Sequence, residues 1–497
     1  MRSPLARVLA AGVLAVVLFF SGCSTSGSTG AGATSSGTTG SAVASAALFD
    51  ATRVHTISLA IDEAVLADVL TSYVNSGDKK WASADVTIDG QQFSNVGIKL
   101  KGNSSLRGVS ADSDPATLPW RIRLDKYVDG QNLDGYTDIT VRSNSTSTSL
   151  NEAVALDLLA ETGLASQQAM STRFSVNGGT EVLRLTLQNL NEDWVKQNFP
   201  QAGADSILYK AEAEGDWSWR GADGDYSSAF GIETGPKDYA PLIELLNLLN
   251  NGTQAEITEK LPQLVDLDSF ATYLAFEDLV NNFDDIDGPG NNSYLFWDSA
   301  TKKFTIVAWD HNLAFGVSPA GNGDGMGGGA GGGMPSGAPS GMPSGAPSGM
   351  PSGAPSGMPS GAPGRPNADG ADRPAPSDWP SDATGAPNQA GSPATPAAGV
   401  PVRGGEQGQG FPGAGGGTMP ADQSNPLVTA FNANTDWQGL YAAEQTRLRA
   451  ELVTSGLASK VVDDRAAVLT QQASDLVSTE TINSEAQAIL EQAKANG

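Results

Sequence analysis

Cysteine and histidine are nearly missing from this chain of 497 residues. Cys23 is the single cysteine, so neither an intrachain disulfide framework nor a cysteine-based zinc site can form. His55 and His311 are the two histidines. Two histidines exclude a histidine-rich metal site and argue against a Ser-His-Asp triad. Several common kinds of catalytic and metal centre are therefore ruled out.

Basic residues are also scarce, with 29 Lys and Arg against 55 Asp and Glu and a formal net charge of -26. A nucleic-acid-binding protein needs a basic face, so we expect no nucleic-acid partner. The charge suits an acidic soluble protein, a cation-binding protein, or one that presents local basic patches to an anionic ligand. Glycine (59) and proline (28) exceed average usage, which indicates long linkers.

The N-terminal 22 residues have the pattern of an export signal. Their apolar stretch, from Leu9 to Phe20, is short for a permanent membrane span. The segment Phe20-Ser21-Gly22-Cys23 resembles a bacterial lipobox, in which Cys23 becomes the lipidated first residue of the mature protein. The alternative is an ordinary signal peptide with a stray cysteine. The pattern predicts an exported protein that is lipid-anchored to the outer face of the bacterial cell membrane, with residues 23–49 as a flexible tether.

Residues 50–190 are predicted to form a β-rich lobe. Alternation of apolar and polar residues is typical of half-buried strands, and the Asp89-Gly90 pair predicts a hairpin turn. The predicted strands lie near 54–59, 84–89, 93–101, 120–126, 139–142, 171–176 and 181–188. Helices are predicted at 62–73 and 149–162.

A helical lobe follows from residue 191. Its predicted helices span 191–198, 238–250, 268–282 and 437–474, with a strand pair at 293–297 and 303–309. Asp268 is the expected N-cap of the third helix. Residues 317–425 interrupt this lobe with a repeated MPSGAPSG unit, which predicts a disordered insertion. Residues 191–316 and 426–497 together form the lobe, and the expected fold class is α+β.

Two predicted strands each place two cations on one face. Lys99 and Lys101 share a face of one strand, and Arg121 and Arg123 share a face of the next, because side chains alternate along a strand. This surface is either simply solvated or binds phosphate. Glu152 lies three residues after Ser149, so it either completes a capping box or orients a phosphate-binding cation.

A short acidic loop follows the helix that ends near residue 282. Asp284, Asp285, Asp287, Asn291 and Asn292 crowd oxygen ligands into a Gly/Pro-rich segment, which suits Mg²⁺, Mn²⁺ or Ca²⁺. The next strand ends at Asp310, whose carboxylate could join them. The alternatives are a structural Ca²⁺ loop or Asx turns without metal. His311 could act as a base, although a structural histidine is the favoured interpretation.

Five segments together resemble the spore coat protein H (CotH) kinase family. They are VGIKLKGNSSLR (96–107), PWRIRLDKY (119–127), ILYKAE (207–212), NNFDDIDGPGNNSYLFWD (281–298) and IVAWDHNLAFG (306–316). The resemblance implies a diverged protein-kinase fold with a β-rich N-lobe and a helical C-lobe. It also implies transfer of phosphate from ATP to Ser/Thr residues of a protein substrate with Mg²⁺ or Mn²⁺.

The resemblance implies roles for four residues of the acidic segments. Asp310 in WDHN resembles the metal-binding aspartate, and Asn292 the second metal ligand. Asp284 resembles the catalytic aspartate that accepts the proton of the substrate hydroxyl. Asp287 competes for that role, because its five-residue step to Asn292 is that of a kinase D-x-x-x-x-N.

Five further residues are implied in nucleotide binding. Lys101, Arg121 and Arg123 are the candidates for the phosphates, and Glu152 would position one of these cations. Lys210 in ILYKAE matches a recurrent family position.

The chain departs from ordinary kinases, since its sequence has no HRD or DFG motif and its predicted β-rich lobe (50–190) has no G-x-G-x-x-G loop. The alternative function is therefore a non-catalytic, surface-anchored structural or assembly protein with a kinase-like fold and structural Ca²⁺. A cell-wall or carbohydrate-binding module is a weaker third hypothesis. The serines of the repeat are either phosphoacceptors in cis or, as favoured, part of a spacer.

Overall fold

The structure is a computed structural model that describes residues 47–213, 215–289, 291–318 and 425–496. The predicted signal peptide, Cys23, nearly all of the tether and the insertion from 319 to 424 lie outside the described residues. The chain divides into two compact units. Within the described ranges, the first contains residues 47–157, 167–198 and 460–486, and the second contains 158–166, 199–318, 425–459 and 487–496.

The first unit is built on a closed barrel of seven strands, in the order β1-β2-β3-β4-β5-β7-β6. The strands are β1 (His55–Ala60), β2 (Ala82–Ile88), β3 (Gln91–Leu100), β4 (Trp120–Arg123), β5 (Asp138–Val141), β6 (Ala169–Val176) and β7 (Val182–Gln188). Its helices are α1 (Glu63–Ser76), the first part of α2 (Leu150–Glu161) and α3 (Glu192–Asn198). The β1 and β6 strands pair in parallel, and the other neighbours pair antiparallel.

Alternation along β3 and β4 separates the barrel core from the basic residues. Ile98 and Ile122 pair with each other and are fully buried. Lys99 pairs with Arg121 on the opposite face, as period-2 side-chain geometry requires. The predicted clustering of cations on adjacent strands therefore agrees with the strand register.

Late segments of the chain complete this first unit. Arg465 pairs with Asp157 of α2 through two hydrogen bonds of 2.7 Å. Glu485 accepts hydrogen bonds from the backbone N–H groups of Ser147 and Thr148, just before α2 begins. The C-terminal helices are thus divided between the two units, whereas the sequence pattern assigned all of them to the helical lobe.

The Asp89-Gly90 turn carries a charged cluster. The Asp89 carboxylate lies 2.7 Å from His55 Nδ1 and accepts hydrogen bonds from Arg53 and from the Thr56 backbone N–H. Burial raises the pKa of Asp89. The hydrogen bonds from His55 and Thr56 and the nearby charges lower the pKa by more than burial raises it, so the pKa falls to about 2. Ionised Asp89 therefore stabilises the folded state.

We expect Asp89→Asn to lower the free energy of unfolding by about 2 kcal/mol at pH 7. Asparagine tolerates the left-handed backbone of residue 89 (φ 48°), so the variant removes mainly the charge. The folded-state pKa lies below the ordinary value of 3.8, so this stabilisation is complete above that value and is lost as the pH falls towards 2. Its size at pH 3 should be about half that at pH 7. Urea unfolding at both pH values measures it.

The control is Asp68→Asn, which removes an exposed ion pair with Lys80 and should change stability by less than about 1 kcal/mol. An Asp89→Asn penalty that stays constant between pH 7 and pH 3 would contradict the electrostatic explanation.

The second unit contains a four-stranded antiparallel sheet in the order β11-β10-β8-β9. The strands are β8 (Ile207–Ala211), β9 (Phe230–Thr234), β10 (Ser293–Asp298) and β11 (Lys303–Ala308). The remaining α-helices of the described residues are α4 (Ala240–Asn251), α5 (Gln254–Leu264), α6 (Leu267–Leu279), α7 (Pro426–Asn432), α8 (Thr435–Leu448), α9 (Leu457–Gln472) and α10 (Thr479–Asn496). The α+β expectation is confirmed.

Two predictions for these helices were wrong. Asp266, and not Asp268, caps α6, because its side chain accepts a hydrogen bond from Ser269 N. The predicted helix 437–474 is interrupted. After α8 comes a π-helical segment, Arg449–Thr454, and Gly456 has a left-handed conformation (φ 85°) that ends this segment before α9 begins. Among the helices in the described ranges, none combines the length and apolar character needed to cross a bilayer.

Candidate functional site

In the second unit, three predicted residues lie towards the end of the sheet that is farthest from the β10–β11 turn. Ser293, the first residue of β10, pairs with Ala308, the last residue of β11. Asn292 directly precedes β10 and Asp310 follows β11 by two residues, so both lie beyond this pair. Lys210 on the neighbouring β8 pairs with Tyr294 and approaches the same end.

The two competing aspartates of the acidic loop have different partners. Asn292 Nδ2 donates a hydrogen bond of 3.0 Å to Asp284 Oδ2, which joins the predicted catalytic aspartate to the predicted metal ligand. Asp287 is exposed, and its Oδ1 accepts a 2.8 Å hydrogen bond from the backbone N–H of Asn425. The structure thus brings Asp284 to Asn292 and places Asp287 against the start of α7.

Contacts along the loop hold its shape. The backbone N–H of Ile286 donates to the Tyr273 hydroxyl at 3.0 Å, and Trp217 Nε1 donates to Asn291 Oδ1 at 3.0 Å. Gly288 packs so tightly that a Cβ there would lie 2.6 Å from Asp284 Cα. The loop is therefore specified by packing and hydrogen bonds around Asp284.

Asp310 begins a segment that is tied to α6. Its backbone is left-handed (φ 66°, ψ 54°), and the next residue, His311, is fully buried. His311 Nε2 lies 3.1 Å from Oε1 of Glu277, which is only 1% exposed. The other oxygen of Glu277 accepts a 2.9 Å hydrogen bond from Asn282 Nδ2. The favoured structural interpretation of His311 agrees with this buried pair.

Glu277 was not predicted as part of the site. The signal that could have found it is weak: one glutamate following the apolar run Leu274–Phe276 of α6.

Lys210 forms an ion pair of 2.8 Å with Glu212. Because both side chains are partly exposed, this pair contributes at most about 1 kcal/mol.

In the first unit, a buried polar network joins two of the predicted cations. Lys101 Nζ donates to Asn189 Oδ1 at 2.8 Å, and Asn189 Nδ2 donates to Asp138 Oδ1 at 2.6 Å. Asp138 in turn pairs with Arg121, with 2.6 Å between Oδ2 and Nη2. Asn189 and Asp138 are 2% and 3% exposed. Neither was predicted, and both orient the basic side chains.

The remaining candidates of this unit have other partners. Arg123 pairs with Asp125 at 2.8 Å, and this hydrogen bond raises the pKa of Arg123. Glu152, 2% exposed, accepts a 3.0 Å hydrogen bond from Arg142 Nε. Arg142 was not among the predicted cations, so it becomes an additional candidate.

Further positive charge gathers around Trp81. Lys99 Nζ lies 4.9 Å from the ring centroid, Lys126 Nζ 5.0 Å and Arg121 Cζ 5.7 Å. Cation–π attraction of this kind contributes about 0.5–1 kcal/mol at exposed sites. A basic patch thus exists on β3 and β4 of a chain whose net charge is -26.

The donor atoms at the open end of the β10–β11 hairpin suit a divalent cation that is also bound by phosphate. No group of three or more His, Cys, Asp or Glu side chains within the described ranges is arranged to hold a metal by itself. Asp284, Asn292 and Asp310 instead offer two carboxylates and one amide. Mg²⁺ is commonly bound by one or two carboxylates together with substrate phosphates. This set suits Mg²⁺ or Mn²⁺ better than a calcium site made of protein ligands alone.

Comparison with known families finds one match within the chain. Residues 98–339 match the family model described as CotH kinase protein, and this range includes each predicted catalytic, nucleotide-binding and metal-binding residue. Over these residues the chain is similar to the CotH kinase family. The resemblance carried by the five sequence segments is thereby confirmed, and the CotH segment covers parts of both units.

One solved structure similar to this chain is the crystal structure of a Helicobacter pylori proinflammatory kinase, CtkA. The two share 16% sequence identity with a TM-score of 0.22, over 40% of this chain and 56% of that chain. The chain therefore spans just over half the length of that kinase. Comparison with curated protein sequences gave no match.

Proposed function

We propose that this chain, which matches the CotH kinase family over residues 98–339, is an atypical protein kinase. It would transfer the γ-phosphate of ATP to Ser or Thr residues of a protein with Mg²⁺ or Mn²⁺. The observation that supports this most directly is the position of Asp284, Asn292 and Asp310 at one end of the β10–β11 hairpin. All three belong to the segment that matches the CotH family. Hard oxygen donors beside a possible general base are what metal-dependent phosphoryl transfer requires.

Asn292 and Asp310 would hold the metal, which when bound neutralises negative charge on the transferring phosphate. Asp284 would orient the acceptor hydroxyl and accept its proton. The hydroxyl oxygen then forms a bond to the γ-phosphorus, the bond from that phosphorus to the bridging oxygen breaks, and ADP leaves. Asn292 supports this role for Asp284, because its amide fixes the carboxylate. Asp287 is the second candidate, since Asn425 engages its carboxylate.

Lys101, Arg121 and Arg123 would bind the nucleotide phosphates. The Asn189–Asp138 network restricts the orientation of Lys101 and Arg121, so less conformational entropy is lost when an anion binds. Buried Glu152 would position Arg142 in the same way. Lys210, near the hairpin end, would act within the second unit.

The test incubates the full chain with γ-labelled ATP and Mn²⁺ or Mg²⁺, and measures phosphate incorporated into the chain itself and into a generic acidic or Ser-rich acceptor. We expect metal-dependent incorporation into protein. Absence of incorporation, together with absence of nucleotide-induced thermal stabilisation, would instead favour the non-catalytic structural or assembly protein with structural Ca²⁺.

We also propose that the protein is exported and anchored to the membrane through a lipid on Cys23, as its lipobox-like segment indicates. Cys23→Ser should abolish incorporation of a labelled fatty acid and move the protein out of the membrane fraction, because no other cysteine can carry the lipid. Ser26→Ala, three residues after Cys23, should retain both the label and the fractionation. Labelling that persists in Cys23→Ser would contradict a lipid on this residue.

A further inference from the structure

Glu277 connects the two segments that carry the candidate catalytic and metal-binding aspartates. Its Oε2 accepts the hydrogen bond from Asn282, two residues before Asp284. Its Oε1 faces Nε2 of His311, the residue after Asp310. The Asn282 backbone N–H also donates to the Glu277 carbonyl at 3.0 Å, so this contact involves both main chain and side chain.

The burial of this carboxylate is costly. Glu277 and His311 are 1% and 0% exposed, and Phe276 meets the imidazole ring edge-on, with 5.9 Å between the ring centroids. A buried carboxyl–imidazole contact adds little stability over apolar residues of similar size, because the cost of desolvating the polar groups offsets their attraction. Leucine or methionine would fill the same space in α6. A glutamate here contributes something that apolar packing cannot, namely two directional contacts.

Two residues at this junction have a left-handed backbone. Asn281 and Asp310 both have positive φ (46° and 66°), a conformation that asparagine and aspartate adopt more readily than other non-glycine residues. Gly316 N donates to Asn281 O at 3.3 Å, so the segment after Asp310 also returns to the start of the acidic loop. The Glu277 side chain is a buried carboxyl group that contacts both segments of this junction.

We propose that Glu277 is a positioning residue, whose two oxygens hold the Asp284 loop and the Asp310 segment in the arrangement that binds the metal–nucleotide complex. This inference rests on the proposed function, because it assigns a metal to Asn292 and Asp310. It adds a third carboxylate that acts through Asn282 and His311 without touching the metal. Such supporting contacts typically change metal affinity or activity by about 10–100-fold.

The experiment titrates the full chain with a non-hydrolysable ATP analogue, with and without Mn²⁺, and compares the two dissociation constants. Their ratio reports the affinity that the metal adds, which a general loss of stability does not alter in the folded protein. Glu277→Met should reduce this ratio by about 10–100-fold and leave metal-free binding unchanged. Glu277→Gln retains an oxygen for His311 and an amide that a rotated Asn282 can bind, so it should stay within about threefold of wild type.

The matched control is Asp278→Asn, the next carboxylate of α6, which accepts a hydrogen bond from the Tyr441 hydroxyl. It should lower the thermal unfolding midpoint and keep the Mn²⁺-dependent ratio. Should Glu277→Met fail to fold, Asn282→Ala removes one contact and leaves the pair with His311. We expect Asn282→Ala to reduce the ratio of the two dissociation constants about tenfold.

An unchanged ratio in folded Glu277→Met, or in Asn282→Ala, would overturn the positioning role and leave Glu277 as a structural residue. A wild-type chain that gains no affinity from Mn²⁺ would overturn both this inference and the metal assignment. A wild-type chain that gains affinity, depends on Glu277 and yet transfers no phosphate would refute the proposed kinase activity and support the positioning role.

Discussion

Replacing Asp310 with asparagine should abolish phosphate transfer, with a loss on the order of 10³-fold or more. The left-handed backbone at residue 310 accepts asparagine, so the variant removes a negative charge without adding strain. Phosphoryl transfer relies on electrostatic stabilisation of the transferring group, and a carboxylate that holds the cation is central to it. A 10³-fold loss corresponds to about 4 kcal/mol of transition-state stabilisation. Initial rates with γ-labelled ATP over a range of Mn²⁺ concentrations measure the effect.

Asp268→Asn is the matched control, because Asp268 is an exposed aspartate in the first turn of α6. Its loss costs at most about 1 kcal/mol of helix stabilisation and should leave transfer unchanged. Asp310→Asn with wild-type rates would show that transfer, if present, does not use this residue. Recovery at high Mn²⁺ would indicate weakened metal binding with the chemistry intact.

The second large effect should separate Asp284 from Asp287. We expect Asp284→Asn to lower the transfer rate by about 10²–10³-fold, since a general base typically contributes 10²–10⁴. The asparagine can still accept the hydrogen bond from Asn292, so the loop should keep its shape. Asp287→Asn can likewise still accept from the Asn425 backbone and should stay within about threefold of wild type. Single-turnover rates at saturating ATP compare the chemical step directly.

The opposite ranking would move the catalytic role to Asp287, whose step to Asn292 also has the spacing of a kinase loop. Equal losses in both variants would mean that the loop acts as a unit, because the effects of coupled catalytic residues are not additive.

Local patterns predicted much of the barrel. Lys99 and Arg121 lie on the face opposite Ile98 and Ile122 because alternation depends on neighbouring residues alone. Shorter or interrupted elements escaped prediction. The β8 and β9 strands have five residues each, and α5 contains Pro262 near its end. Closure of the sheet into a barrel depends on the parallel pairing of β1 with β6, which is remote in sequence.

The site was predictable to the extent that its residues resemble family segments. Asp284, Asn292 and Asp310 came from contiguous motifs. Their supporting groups could not be found in this way, since Glu277 lies 34 residues from His311, and Asp138 lies 51 residues from Asn189. These partners are ordinary polar residues whose roles depend on tertiary contacts.

Residues 460–486 of the first unit affect the order in which the protein folds. Arg465 contacts α2 across 308 residues of chain, and Glu485 contacts the segment just before α2 across 337 residues. During synthesis the N-terminal parts appear first, and domains generally fold as units. Helix α2 therefore cannot make these contacts until residues 465 and 485 have been synthesised. We expect completion of the first unit to follow formation of its local helices, because it requires closure of a long stretch of chain.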